Sequence, residues 1–294
     1  MIYKTSPPTI GMLYCGDLGF SLTELFLKEG YRVVTTDKHR SPATAKRARD
    51  SNAEIQKDIA DVVSISDIVI SLVAPEASVS VAREFVSLGK QIVNGCTFID
   101  ANSIGPGQVS EINEIFRHAN LSWVDATIHG GAKRIGELGV MYVSGVNAVA
   151  ISELIRPIMR VSVLSENPGV ASAMKQSIAG FSKSLNALFL QSALLAQNHG
   201  FLNSFVDEFR QFYPEIFSAI SRMLPTFSQH VRRRIVELNN IEQLANENQS
   251  LCTLMTAAKD FFAANAEIFE STQMDSDLSS PEKIEQIVKS LAIQ

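Results

Sequence analysis

The residues with the clearest chemical meaning open the chain, in Tyr14-Cys15-Gly16-Asp17-Leu18-Gly19. An apolar, strand-compatible run from Thr9 to Tyr14 precedes them. A helical pattern carrying Phe20, Leu22, Leu25, Phe26 and Leu27 follows. Glycines at 16 and 19 let the backbone approach phosphate and let helix pack on strand, while the helix start offers free N–H groups and a positive dipole end. The chemistry expected is the holding of a dinucleotide pyrophosphate by Gly16, Asp17, Leu18 and Gly19. The usual G-x-G-x-x-G fingerprint places a glycine where this chain has Tyr14. The alternative is a structural turn in a domain without its ligand.

The next strand-like run, Tyr31 to Thr36, ends at Asp37-Lys38-His39-Arg40-Ser41. An acid here binds the ribose hydroxyls of NAD, whereas arginine and a hydroxyl hold a 2′-phosphate. Asp37 argues for NAD(H); Arg40 and Ser41, through a forked charge-assisted contact, favour NADP(H). A third candidate is His129, which precedes Gly130 and Gly131. Imidazole, with an unperturbed pKa of about 6.5, suits acid–base work, and the diglycine admits a ligand to the backbone. A strand-end histidine satisfied by local backbone is the other reading.

The elements that must position these groups follow from periodicity. β-Branched runs at Thr9–Tyr14, Tyr31–Thr36, Asp67–Val73, Thr97–Ala101, Trp123–Ile128, Val140–Val143 and Val161–Leu164 alternate with amphipathic stretches. This predicts an α/β fold: an N-terminal Rossmann-type, doubly wound, mostly parallel sheet. After Ser165-Glu166-Asn167-Pro168-Gly169 no strand-like alternation remains. The expected division is residues 1–166 for dinucleotide binding and residues 167–294 as an all-helical substrate and dimerisation domain. Helix breaks are expected at Tyr213-Pro214, Leu224-Pro225 and Ser279-Ser280-Pro281. Phe201, Phe205, Phe209, Phe212 and Phe217 recur near helical spacing, as a core or dimer seam rather than a ligand cage. His230-Val231-Arg232-Arg233-Arg234 is expected to be a solvated helix face.

Composition narrows the classes. The 294 residues are 46% hydrophobic and 19% charged, enough for a sizeable core. Lys plus Arg (26) against Asp plus Glu (31) leaves −5, which argues against a nucleic-acid partner. No apolar run reaches the length of a spanning helix, so no membrane partner is expected. Met1 to Pro8 lack a secretory h-region. Cys15, Cys96 and Cys252 form no metal-ligand or disulfide pattern. A cytoplasmic protein without a metal is the expectation.

Five segments, in order, carry a family resemblance. They are the N-terminal turn; Ser71-Leu72-Val73-Ala74-Pro75; Asp100-Ala101-Asn102-Ser103-Ile104-Gly105-Pro106; Asp125-Ala126-Thr127-Ile128-His129-Gly130-Gly131; and Gly169 through Lys175. Together, over about residues 9–200, the chain resembles the β-hydroxyacid dehydrogenase family, which includes 3-hydroxyisobutyrate and 6-phosphogluconate dehydrogenases. Gly136-Glu137-Leu138-Gly139-Val140-Met141 is similar to its G-x-L-x-x-M stretch. The second half, through Ala171–Lys175 and Ala179–Lys183, is similar to a helical domain of unassigned function in phosphogluconate-dehydrogenase-like proteins.

The resemblance implies that Lys175 is the catalytic acid–base, that Val73 and Ala74 meet the cofactor, and that Asn102, Ser103, His129, Gly130 and Gly131 surround the substrate. A lysine partly desolvated on a helix can donate to a developing alkoxide. The chain departs from the family in three places. Asn102 replaces the serine of D-x-S-T, His129 the serine of S-G-G, and Ala179 the asparagine four residues after the lysine. Asn102 has a second reading, as a cap of the helix after Pro106. Lys183, eight residues after Lys175, lies about 80° away around a helix. It is expected to bind a substrate anion; a solvent-facing lysine is the alternative. The function expected is an NADP(H)-dependent oxidoreductase moving hydride to or from a small polar carbonyl or hydroxy compound, working as a homodimer through the helical half. Oxidative decarboxylation of a hydroxyacid, and a dinucleotide-binding or structural protein that keeps only the fold, are the alternatives.

Overall fold

β-Branched runs become strands and the glycine turns separate them from helices, as the pattern predicts. The computed structural model describes residues 7–92, 95–245, 248–271 and 281–292. The chain divides into two units, one ending at Lys175 and the other beginning at Gln176.

In the first unit, β1 (Ile10–Leu13), α1 (Asp17–Lys28), β2 (Val33–Thr35), α2 (Pro42–Asp50), β3 (Glu54–Ile55), α3 (Ile59–Ile65) and β4 (Ile68–Ser71) form the first half. Then come α4 (Pro75–Ser87), β5 (Thr97–Asp100), α5 (Pro106–His118), β6 (Trp123–His129), α6 (Ile135–Leu138), β7 (Val140–Ser144), α7 (Ala148–Ile155) and β8 (Arg160–Ser165). The strands make one sheet in the order β3-β2-β1-β4-β5-β6-β7-β8. β6 and β7 pair antiparallel, and the other neighbours pair parallel. The expected doubly wound, mostly parallel sheet is thus present. β3 escaped the sequence pattern because it has two exposed residues and no apolar run; it is an edge strand that pairs with Val34 and Thr35 and is tied to the residue before β2 by the Arg32–Glu54 ion pair.

Alternate residues feed the two faces of the sheet. Met12, Ile70 and Ile99 join Phe26 and Met141 in one core. Leu13, Val69 and Phe98 join Phe85, Phe116 and Trp123 in the other. Each large side chain so buried contributes about 1.5–3 kcal/mol. Trp123 packs against Phe116 and donates its indole N–H to Asn113 Oδ1 at 2.9 Å.

The chain is helical after β8. α8 (Val170–Asn198) begins within the first unit and continues into the second. The residue-166 boundary expected from sequence falls in the turn between β8 and α8. The helical unit continues with α9 (Leu202–Phe212), α10 (Pro214–Met223), α11 (Phe227–Ala245), α12 (Thr253–Ala264), α13 (Ala266–Ser271) and α14 (Pro281–Leu291). Pro214 and Pro281 occupy first helical turns, where a missing N–H costs nothing. Leu224 and Pro225 open the 3₁₀ turn before α11. Ser279 and Ser280 lie outside the described residues. The phenylalanine stripe divides: Phe205, Phe209 and Phe217 ring Phe189, while Phe201 and Phe212 are exposed. Among the described residues, no helix is long and apolar enough to cross a membrane.

Candidate active site

The strand order reverses direction between β1 and β4, which opens a crevice at the carboxyl ends of the strands. A cleft of about 740 Å³ occupies it. Gly16, Asp17, Leu18 and Gly19 line the cleft from the start of α1, and Val73 and Ala74 line it from the loop after β4. Gly19 has no room for a Cβ, which would run into the Tyr14 carbonyl. At Gly16 the same Cβ would enter open space. Gly16 is the N-cap of α1 and supplies no side-chain cap, so the first-turn N–H groups are left for a ligand. This cradle fits a dinucleotide pyrophosphate, as the glycine spacing predicts. Asp17 brings a negative charge to it, offset by an ion pair with Arg47 at 2.6 Å.

Tyr14, at the position where the fingerprint has its first glycine, lines the cleft as well. The Arg40 guanidinium lies over its ring, 4.0 Å from the centroid. Burial pushes the Tyr14 phenol up, with the Arg40 charge pulling the other way. Arg40 and Ser41 both face the cleft, joined by His39 and Thr44. Ser41 also caps α2, accepting from Thr44 N at 3.2 Å. Asp37 is not among the lining residues; its carboxylate is held by Arg49 at 2.5 Å.

The segments that follow β4 and β5 are tied together beside this cleft. Asn102 is buried, with its Oδ1 accepting from Val73 N at 2.6 Å. Its amide nitrogen donates to Ser71 Oγ at 3.2 Å and to Asp100 Oδ2 at 2.9 Å. Its side chain therefore stitches the β4 and β5 loops rather than facing a substrate. Nor does it cap α5: Gly105 is that N-cap, and Gln108 accepts from Gly105 N at 3.1 Å. Asp100 also takes Ser78 Oγ at 2.8 Å. Burial pushes the Asp100 carboxyl up to about 6, against the pull of Ser78 and Asn102.

The next residue, Ser103, accepts a hydrogen bond from Lys175 Nζ at 2.5 Å. Lys175 is half-buried on the second turn of α8. What fixes that helix is Asp125, a fully buried carboxylate on β6. Its Oδ2 accepts from Ser144 Oγ at 3.0 Å, Gly169 N at 2.9 Å and Ser172 N at 3.0 Å, and its Oδ1 from Ser172 Oγ at 2.6 Å. Four donors and a helix N-terminus compensate the buried charge.

His129 ends β6 and is exposed. Gly130 lines the cleft at φ 138°, a backbone state that excludes most side chains, and Gly131 is exposed. Lys183 is a residue of the helical unit, 7% exposed, and its ammonium pairs with Glu237 at 2.6 Å. The structure thus brings Gly16, Asp17, Leu18, Gly19, Arg40, Ser41, Val73, Ala74 and Gly130 to one cleft and Ser103 to Lys175. Asp37 is held by Arg49. Sequence reasoning gave no role to Tyr14 as a platform or to Asp125 as an anchor. The signal for Asp125 was present: an acid inside an otherwise apolar strand must be partnered.

Comparison with known proteins agrees with this architecture. Residues 9–162 match the family model for the NAD-binding domain of 6-phosphogluconate dehydrogenase. An uncharacterised 28.5 kDa protein of Methanothermus fervidus is 28% identical over 255 residues, covering 86% of this chain and 97% of that protein. A conserved protein of unknown function, described as structurally similar to 3-hydroxyacid dehydrogenases, superposes with TM-score 0.72 at 24% identity, covering 88% of this chain and 97% of that one. Mycobacterium tuberculosis 3-hydroxyisobutyrate dehydrogenase with L-serine gives TM-score 0.73 at 16% identity, covering 97% and 99%.

Proposed function

We propose, from the premise that this chain belongs to the family of the 6-phosphogluconate dehydrogenase NAD-binding domain, that it is an NADP(H)-dependent oxidoreductase using Lys175 as its acid–base. Its substrate is a small polar carbonyl or hydroxy compound. Gly16 to Gly19, Val73 and Ala74 would hold the dinucleotide, which supplies or accepts hydride when bound. Arg40 and Ser41 would take the 2′-phosphate; with Asp37 already paired to Arg49, the cleft edge offers cations and hydroxyls rather than a free acid.

The observation that carries the reading is the Lys175–Ser103 hydrogen bond. A half-buried ammonium aimed at a hydroxyl can give a proton to a substrate oxygen that takes the hydroxyl's place, and recover it in the reverse direction. Asp125 fixes the helix start and Asn102 fixes the loop that carries Ser103, so both partners are pre-positioned. Lys175→Met should abolish turnover of a hydroxyacid, aldehyde and imine panel while leaving NADPH affinity within about twofold. Retained turnover refutes the acid–base assignment; binding of cofactor without any turnover by the parent chain favours a binding protein.

Assembly and location belong to the same reading. Phe181, Leu188 and Leu195 recur every seven residues on α8 and are each at least 60% exposed. That seam suits a second copy of the chain, giving a homodimer through the helical unit. Three free thiols suit a reducing cytoplasm.

A further inference from the structure

We propose that the helical unit carries a second ligand site, a pocket between α8 and α11 that binds a small dianionic oxyanion of the phosphate class. The pocket, about 260 Å³ in volume, is lined by Lys183, His230, Arg233, Arg234 and Glu237, with Ser182 at its wall. It is independent of the reading of the α/β unit, since every residue in it belongs to the helical unit.

Charge is the first argument. Lys183, Arg233 and Arg234 bring three cations, and Glu237 brings one acid. Glu237 is shared, taking Lys183 at 2.6 Å on one oxygen and Arg233 at 3.0 Å on the other. Arg234 has no carboxylate within ion-pair distance among the described residues. Its guanidinium carbon lies over Phe227, 3.7 Å from the ring centroid, and it donates to Thr226 Oγ1 at 2.5 Å. Among the described residues its planar fork makes no other hydrogen bond, which leaves donors for a ligand. A formal excess of two positive charges at a partly enclosed site matches a dianion.

Burial makes the excess costly. The Lys183 ammonium is pushed down by burial, with Glu237 pulling the other way, and burial pushes the Arg234 guanidinium down to about 10. An anion in the pocket relieves both. Guanidinium forks and an ammonium recognise phosphate oxygens by charge-assisted hydrogen bonds. The volume admits a tetrahedral oxyanion or a small monoester and is too small for a dinucleotide.

The expected solvated basic face is therefore corrected for one of its arginines. On α11, Arg232 is exposed and Arg233 is largely exposed while lining the pocket, whereas Arg234, one helical step on, turns inward over Phe227.

The test is calorimetric titration of the full-length protein with inorganic phosphate at constant ionic strength, with acetate as the monoanionic comparison. Phosphate should bind saturably and acetate at least about tenfold more weakly. Arg234→Met should abolish phosphate binding. Arg233→Gln, at an exposed position, should weaken it about tenfold and keeps the test usable if the first variant does not fold. Arg210→Gln, an exposed arginine of the helical unit outside the pocket, should leave it unchanged. The proposal is overturned if phosphate does not saturate, if acetate binds equally well, if Arg233→Gln leaves binding unchanged, or if Arg210→Gln weakens it as much as Arg233→Gln does.

Discussion

Asp125 grips Ser172 with both carboxylate oxygens, Oδ2 on the backbone N–H at 3.0 Å and Oδ1 on the hydroxyl at 2.6 Å. Lys175 follows three residues later, so the strand carboxylate sets the place and direction of the ammonium. Asp125→Asn would turn an amide N–H against these donors. We expect a stability loss of about 3 kcal/mol, read by denaturant melts, because buried N–H groups lose their acceptor. A larger fall in kcat than in NADPH affinity would mark the residue as positioning Lys175. Equal losses in both would make it merely structural.

The two glycines of the N-terminal turn should fail differently. Gly19→Ala forces a Cβ into the Tyr14 carbonyl and should lower Tm sharply. Gly16→Ala places its Cβ in open space, so Tm should hold while the dinucleotide dissociation constant rises about tenfold. Unchanged affinity in Gly16→Ala would remove the phosphate cradle from the account.

The proposed NADP(H) preference rests on Arg40. Arg40→Ala should weaken NADPH by about 10- to 100-fold and leave NADH nearly unaffected, because only the 2′-phosphate loses its fork. Parallel losses for both cofactors would assign Arg40 to general packing over Tyr14 instead.

Asp100 gives a pH signature. Its folded pKa of about 6 lies above the unfolded carboxylate range, so the native state binds the extra proton between about pH 4 and 6. The destabilisation from this carboxylate is thus absent below about pH 4, develops as pH rises, and is complete above about pH 6. Relative to Asp100→Asn, the parent should lose about 3 kcal/mol across that window, measured by urea melts at several pH values. A pH-independent difference would show that Asp100 does not titrate there.

Assembly is testable through α8. Leu188→Glu puts a charge in the middle of the exposed apolar seam and should convert a dimer to a monomer in light scattering. A parent chain that is monomeric at micromolar concentration would dispose of the seam as an interface.

Much of the fold could be read directly, since a buried parallel strand needs a β-branched run and a phosphate turn needs its glycines. β3 could not, because two exposed residues carry no periodicity. At the site, the cradle and the edge cations were legible by type and spacing. The hydrogen bonds of Asn102 were not legible because Ser71 and Val73 N, at and just past the end of β4, lie 31 and 29 residues away, and their meeting with Asn102 is a matter of geometry. Arg234 looked like one member of a solvated run, and only the angular step of the helix shows that it turns inward.

Trp123 is the chain's one tryptophan, and it sits in the aromatic core of the α/β unit beside Phe116. The molecule thus carries a built-in optical label on one half. Indole emission reports the melting of the sheet and is silent on the helical unit, whereas far-ultraviolet ellipticity follows the helices of both. Melting curves from the two signals would separate the halves if they unfold independently and coincide if they unfold together.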